Sequence, residues 1–257
     1  MRTCPDSKFS LSVIIPTLNE APRIARLLDN IQAVRDAQPD FPVEVIVVDG
    51  GSTDQTFALT QHRVDRFMAS AAGRAIQMNA GAAHASHTTL LFLHADTLLP
   101  LQAVSFLRQA FDAGASWGRF NVQFDAPARR FRGLAWMMNG RSRLTGICTG
   151  DQGIFVQRYV FQAIGGYAPI ALMEDVELSR RLRRLQRPAC IQYPVITASR
   201  RWQQRGYWST VWLMWSLRWR YFFGASPAAL AKIYYPKKDG PLIKDAPASA
   251  CCDVTHD

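Results

Sequence analysis

The amino-acid sequence predicts an α/β protein with a Rossmann-like, mostly parallel central sheet, helices on its flanks and aromatic helices at its C-terminal end. Two observations carry this expectation. Short β-branched or Leu-rich runs alternate with segments of helical spacing through the first half of the chain. Acids also close two of those runs: Asp49 ends Val43-Glu-Val-Ile-Val-Val-Asp49, and Asp96 ends Leu90-Leu-Phe-Leu-His-Ala-Asp96. Runs of this kind read as buried parallel strands. Ligands of open α/β sheets bind beyond the carboxyl ends of the strands, so both acids are expected at one crevice. A third acid, Asp175, lies within Leu172-Met-Glu-Asp-Val-Glu177.

The elements follow in order. Leu11-Ser-Val-Ile-Ile15 is the first strand, broken by Pro16-Thr-Leu-Asn-Glu20. Asn19 is placed to cap the next helix and Pro22 to open its first turn. Ile24, Leu27, Leu28, Ile31 and Val34 then recur at helical spacing. Val43–Val48 is the second strand, with a helix cap offered by Ser52-Thr-Asp54. Arg66-Phe-Met68 is a short third strand, Gly73–His84 a helix and Thr89–Leu93 a fourth strand. Beyond them, Trp117–Phe124 reads as extended, Arg129–Leu144 as helix and Gly150–Val156 as a turn followed by a strand. Glu174–Arg187 is helical, Ile191–Thr197 extended, Tyr207–Phe223 a long aromatic helix and Ser226–Tyr234 a short one. Neither a repeat nor a linker interrupts this order. Residues 1–236 therefore read as one domain in two halves, about 10–118 and 119–236. The polar stretch 237–257, punctuated by Gly240, Pro241 and Pro247, reads as a flexible tail.

Composition narrows the function. Of 257 residues, 48% are apolar, enough for a sizeable core. No run reaches the roughly 18 apolar residues of a membrane-spanning helix, and the N-terminus lacks a signal-peptide pattern. The expected location is cytoplasmic, with the inner face of the membrane as the alternative. Cys4, Cys148, Cys190, Cys251 and Cys252 have neither zinc-ligand nor disulfide-framework spacing. The net charge of +10 is concentrated in residues 119–220, which carry 17 basic and 5 acidic side chains. A basic half of this kind suits phosphate-bearing ligands or anionic headgroups, or is simply a solvated Arg-rich surface. No nucleic-acid-binding pattern accompanies it, so nucleic acid is not an expected partner.

The ordered motifs Val13-Ile-Ile-Pro-Thr-Leu-Asn-Glu20, Val47-Val-Asp-Gly-Gly-Ser-Thr-Asp54, Phe92-Leu-His-Ala-Asp96, Met173-Glu-Asp175 and Ser199-Arg-Arg-Trp202 resemble the family 2 glycosyltransferases of the GT-A fold. Within them the pattern is most similar to a bacterial subgroup with undefined acceptors. The resemblance implies an enzyme that moves a sugar from a nucleotide-diphosphate sugar, UDP-linked by preference, to an acceptor with inversion. It places Pro16, Thr17, Glu20, Asp49, Gly50, Arg74, Ala95 and Asp96 around the donor.

Each residue has a physical reading beside that one. Pro16 and Thr17 edge a base or merely end a strand. Asp49 accepts hydrogen bonds from a uracil N–H or ribose hydroxyl, or caps a helix. Arg74, near a helix start, clamps a diphosphate or is a surface arginine. Asp96 is the acid of the family's metal motif, expected to hold Mn²⁺ or Mg²⁺ with phosphates and waters. His94 replaces that motif's first acid; it is a weaker second ligand that would favour Mn²⁺, or a hydrogen-bond partner of the donor. Asp175 is the expected general base, with Glu174 as the alternative; both also suit a helix's first turn. Asp151 and Gln152 contact sugar hydroxyls or form a turn. Arg201 is expected at the diphosphate and Trp202 at the acceptor. Ala198 stands where processive members have Gln, which argues against a polymerase.

Trp208, Trp212, Trp215 and Trp219 form a stripe along the long helix. It packs into the core or against a second copy, or else meets a membrane surface or a lipid-linked acceptor. Two rivals to the transferase remain. A sugar-phosphate nucleotidyltransferase is disfavoured because Pro16–Glu20 has no glycine. The other is a non-enzymatic, basic and aromatic membrane-surface protein.

Overall fold

The computed structural model describes residues 9–235; the predicted tail at 237–257 lies outside them. The first half alternates: β1 (Leu11–Thr17), α1 (Ala21–Ala37), β2 (Val43–Asp49), α2 (Thr56–Thr60), β3 (Arg66–Ala69), α3 (Arg74–His84) and β4 (Thr89–Phe92). Next come β5 (Thr97–Leu98), α4 (Ala103–Asp112), β6 (Trp117–Phe124) and α5 (Arg129–Thr145). A 3-10 turn, Gly150–Gln152, leads into β7 (Ile154–Gln157) and α6 (Arg158–Ala163). The chain ends with α7 (Glu174–Leu185), β8 (Ala189–Thr197), α8 (Arg200–Gln204), α9 (Tyr207–Phe222) and α10 (Pro227–Tyr234).

One eight-stranded sheet runs in the order β3-β2-β1-β4-β7-β6-β8-β5. The four strands of the first half are parallel, as the alternation requires. β7 then runs antiparallel to both β4 and β6. β6 and β8 are parallel, and β5 pairs antiparallel with β8. Successive residues of β1 face opposite sides. Leu11, Val13 and Ile15 pack with Ile24, Leu27 and Ile31 of α1 on one side, and Ile14 packs with Met78 and Ala82 of α3 on the other. Helix α3 sits close to the sheet at Gly81, where a Cβ would lie 2.5 Å from the Ile14 side chain.

Two details differ from the sequence-based expectation. Strand β1 does not stop at Ile15 but continues through Pro16 to Thr17, in register with Val48 and Asp49. Proline is tolerated because its missing N–H faces the side where β4 has already ended, since β4 pairs only with Leu11–Ile14. Asn19 does not cap α1; its φ is 55°, and its side-chain oxygen accepts from the Thr53 N–H at 2.9 Å. The helix is capped from across the crevice instead. Ala21 N–H donates to Asp54 at 3.1 Å, and Glu20 N–H donates to Thr56 Oγ1 at 2.9 Å. The loop after β2 thus satisfies the orphan amides of α1.

The Trp stripe is not core. Trp208, Trp212, Trp215 and Trp219 are 71%, 73%, 56% and 68% exposed. Helix α9 buries Leu217 instead, against Leu230, Ala231 and Tyr234 of α10 and Leu172 and Met173 before α7. That packing turns the tryptophans outward and fixes the start of α7 beside the sheet.

Candidate active site

β1 and β2 end together at Thr17 and Asp49 while β4 ends earlier, level with Ile14, so the segment His94–Asp96 runs on beside their carboxyl ends. Asp96 keeps a largely free carboxylate: Thr97 Oγ1 donates to it only at 3.5 Å. Its main-chain oxygen accepts from Ala198 N–H at 3.2 Å, which ties the acid to the end of β8. Arg74 opens α3 next to Gly73. Burial alone would lower its pKa, but Tyr235, Glu174, Asp151 and Asp96 together raise it. Arg201 belongs to the same group; burial and the charge of Arg74 lower its pKa, against opposing pulls from Asp151 and Asp96. It donates to the Tyr234 hydroxyl and lies over that ring, 5.3 Å from its centre. Two guanidiniums and two carboxylates therefore lie close enough to act on one another.

His94 faces Asp151 rather than Asp96. Its Nδ1 lies 3.3 Å from Asp151 Oδ1, and its Nε2 occupies the space over Gly150 where a Cβ would stand 2.4 Å away. Burial would raise the Asp151 pKa. The hydrogen bond and charge of His94, then Arg201 and Arg74, outweigh burial and hold the carboxyl well below the usual carboxylate range.

Helix α7 presents its first turn to this floor. Met173 takes a left-handed conformation, φ 68°, just before the helix. Glu174 is buried; burial and the neighbouring Asp175 push its pKa up to about 7. Asp175 Oδ2 accepts from Gly150 N–H at 3.0 Å and Oδ1 from Val176 N–H at 2.7 Å, so its carboxylate is oriented by main chain. Glu174 acts on Arg74, whereas Asp175 acts on Arg141 and Arg218.

The description "Glycosyl transferase family 2" matches residues 12–162, more than half the chain. The chain belongs to glycosyl transferase family 2. A PGL/p-HBAD biosynthesis glycosyltransferase of Mycobacterium bovis is 35% identical over 166 residues, covering 61% of this chain and 62% of that protein. Among solved structures, a Staphylococcus aureus TarS fragment in complex with UDP-GlcNAc superimposes with a TM-score of 0.57 at 18% identity, covering 74% of this chain and 58% of the other. The mannosyltransferase PcManGT of Pyrobaculum calidifontis, in complex with GDP-Man and Mn²⁺, gives 0.56 at 23% identity, covering 73% and 56%. At these identities the structures establish the GT-A fold. The chain spans 36% to 62% of the length of the curated relatives it matches.

Within this family 2 framework the predicted site residues separate. Arg74, Asp96, Asp151, Glu174, Asp175 and Arg201 converge, with Ala95 buried between His94 and Asp96. Asp49 lies at the crevice, but its carboxylate is saturated. It accepts from Thr17 Oγ1 at 3.1 Å, Ser52 Oγ at 2.5 Å, Gly51 N–H at 3.0 Å and Ser52 N–H at 2.7 Å. Those four bonds use the lone pairs a carboxylate offers. Thr17 and Pro16 are buried, and Glu20 is paired with Arg23 at 2.5 Å.

Gln152 is a correction. It is fully buried, forms a capping box with Thr149 and donates to Ser142 Oγ at 3.0 Å, so no sugar hydroxyl reaches it. His94, the weaker metal-ligand candidate, turns its Nδ1 to Asp151, with its Nε2 over Gly150. Trp202 packs against Phe124 in a small aromatic core and also lines a cleft at the site.

Gln77 was missed by the sequence reading. Its side-chain amide donates to Thr17 O and Val48 O, both at 2.8 Å, stitching β1 to β2 at the crevice. Gly50 makes room for it, since a Cβ there would lie 3.1 Å from Gln77 Nε2. A glutamine on the apolar face of a helix was the available signal.

Proposed function

We propose that this protein is a metal-assisted, inverting glycosyltransferase. It moves a sugar from a nucleotide-diphosphate sugar, UDP-linked by preference, to an acceptor hydroxyl deprotonated by Asp175. The observation that carries this reading is the grouping of Arg74 and Arg201 with Asp96 and Asp151 beyond the ends of the parallel strands. A departing nucleoside diphosphate accumulates negative charge, and two preorganised guanidiniums stabilise it where it develops. The family membership and a structural neighbour bound to UDP-GlcNAc support the same donor class.

The acceptor oxygen attacks the anomeric carbon from the face opposite the diphosphate, the bond to the diphosphate oxygen breaks, and the acceptor proton passes to Asp175. Asp175 suits the role because its carboxylate is held by two main-chain amides and acts on Arg141 and Arg218. Glu174, acting on Arg74, belongs to the donor side.

A divalent cation fits at Asp96, whose carboxylate has only the 3.5 Å contact from Thr97. A single carboxylate completed by phosphates and waters is the coordination that Mg²⁺ and Mn²⁺ accept in nucleotide sites. Among the described residues no three His, Cys, Asp or Glu side chains form a ready-made metal cluster. The cation would supply charge neutralisation of the diphosphate. We assign the reaction to the cytoplasm, at the inner membrane face if the acceptor is lipid-linked.

Calorimetry with UDP and GDP, each with and without Mn²⁺ or Mg²⁺, tests the donor and metal assignments. Binding that strengthens with cation and is lost in Asp96→Asn is the expected result. Absence of nucleoside diphosphate binding under every condition would overturn the reading.

A further inference from the structure

We infer that the acceptor is an anionic amphiphile: its anionic group seats on Arg141 and Arg218 beside Asp175, and its apolar chain lies in the cleft between α5 and α9. The inference rests on the proposal that Asp175 is the base, and it adds the chemical class of the molecule being glycosylated.

A cleft of about 660 Å³ runs along these two helices, within the range of small-molecule sites. Its walls are apolar: Leu134, Met137 and Met138 from α5, and Val211, Trp215 and Phe222 from α9. Asp151 also lines it, so the cleft communicates with the pocket that holds Arg74 and Arg201. Trp215 is 56% exposed and Phe222 78% exposed. These side chains present apolar surface to water where an occupant of matching chemistry would cover it.

Three cationic side chains line the same cleft, Arg141, Arg218 and the exposed Arg220. Arg141 spends one nitrogen on the Ile147 main-chain oxygen at 3.2 Å. Its Nε and Nη2 are shielded from solvent and have no hydrogen-bond partner. Buried polar nitrogens without partners are rare in folded proteins and call for an acceptor that completes them. Arg218 carries a second positive charge toward Arg141, and Asp175 and Asp151 are the acids that act on it. Two neighbouring cations in the lining of an apolar cleft specify an anion attached to an apolar chain.

This arginine pair is distinct from the donor pair. Asp96 acts on Arg74 and Arg201, Asp175 acts on Arg141 and Arg218, and Asp151 acts on Arg74, Arg201 and Arg218. The anion is thereby set next to the base, and a hydroxyl close to the anion is the nucleophile. The chain's own segment 236–257 does not match this cleft. It is polar, and Leu242, Ile243 and Val254 are its only large aliphatic side chains.

Dodecyl phosphate, used with the full-length protein below its micelle concentration, is the probe. It should bind at least about ten-fold tighter than dodecyl maltoside, dodecyltrimethylammonium or inorganic phosphate, read by tryptophan fluorescence and calorimetry. Affinity should rise roughly two-fold or more per methylene from octyl to dodecyl phosphate. Arg141→Gln should lose about ten-fold for dodecyl phosphate and little for dodecyl maltoside. If that variant does not fold, Arg218→Gln carries the same readout.

Equal affinity for the three dodecyl probes, or binding to anionic vesicles without binding of monomeric dodecyl phosphate, overturns the inference. A UDP titration run alongside separates the two readings. Lost amphiphile selectivity with UDP binding intact sinks only the acceptor class, whereas absent UDP binding with selective dodecyl phosphate binding sinks the donor assignment.

Discussion

The main-chain N–H of Gly150 donates to Oδ2 of Asp175 at 3.0 Å, joining the turn that carries Asp151 to the helix that carries the base. The same glycine gives its side-chain space to His94, whose Nε2 would stand 2.4 Å from any Cβ. One residue thus positions His94, Asp151 and Asp175 together.

Gly150→Ala should therefore act on activity. Displacing His94 and the adjacent main chain misplaces charged groups in the pocket, and transfer should fall on the order of 100-fold. Gly140→Ala is the control. It lies within α5, and its Cβ would meet nothing within 4 Å. That variant should gain about 1 kcal/mol of stability, measured by urea denaturation.

Asp175→Asn removes the proposed proton acceptor while keeping the shape of the side chain. Transfer should drop by about 10²–10⁴-fold, with affinity for UDP unchanged. Comparable turnover in Asp175→Asn and wild type, measured on the same acceptor, would transfer the role to another group.

Glu174 makes stability depend on pH. Its folded-state pKa is raised from 4.5 to about 7 by burial and by Asp175. A carboxyl raised in this way contributes stability below its unfolded pKa and loses it as pH climbs through the folded value. Wild-type stability should therefore decline between pH 4.5 and about 7. Glu174→Gln should flatten that decline and raise Tm at pH 8 by about 5 °C, on the order of 2 kcal/mol. Thermal melts across pH 4.5–8 check the sign; a larger gain at pH 5 than at pH 8 contradicts it.

Gln77→Leu removes both hydrogen bonds that join Thr17 O and Val48 O. A loss of about 2 kcal/mol is expected from the urea midpoint, because two buried carbonyls each lose one donor. UDP affinity should fall with it, since the ends of β1 and β2 form one wall of the crevice.

Most elements were legible in the sequence because their signals are local. The β-branched runs of β1 and β2, the spacing of Ile24 to Val34 in α1 and the acid-to-base gradient of α7 each lie within one element. The strand-closing acids also announced the crevice. The helices α4, α6 and α8 escaped that reading. Two of the three have only five or six residues, too short for a period to show.

Side-chain roles were less legible, because they depend on partners far away in the chain. Asp54 serves two helix starts, accepting from Ala21 N–H of α1 as well as from Thr56 N–H of its own helix α2. Asp49, expected to bind a nucleotide or cap a helix, accepts four hydrogen bonds from Thr17 and its own loop, and Gln152, expected at sugar hydroxyls or in a turn, is buried.

By itself the sequence determined the α/β class, the parallel first half, the family and the acids at the crevice. Hydrophobic period and motif order carry those facts within short segments of chain. Only the tertiary structure decided which groups are available for chemistry. It spent the lone pairs of Asp49 on a loop, turned His94 to Asp151, left Asp96 open and aimed Glu174 and Asp175 at different arginines. It also turned the tryptophans of α9 outward. The physical reason is that a hydrogen-bonding group is consumed or left free by neighbours brought together from distant positions, and no local pattern encodes that competition.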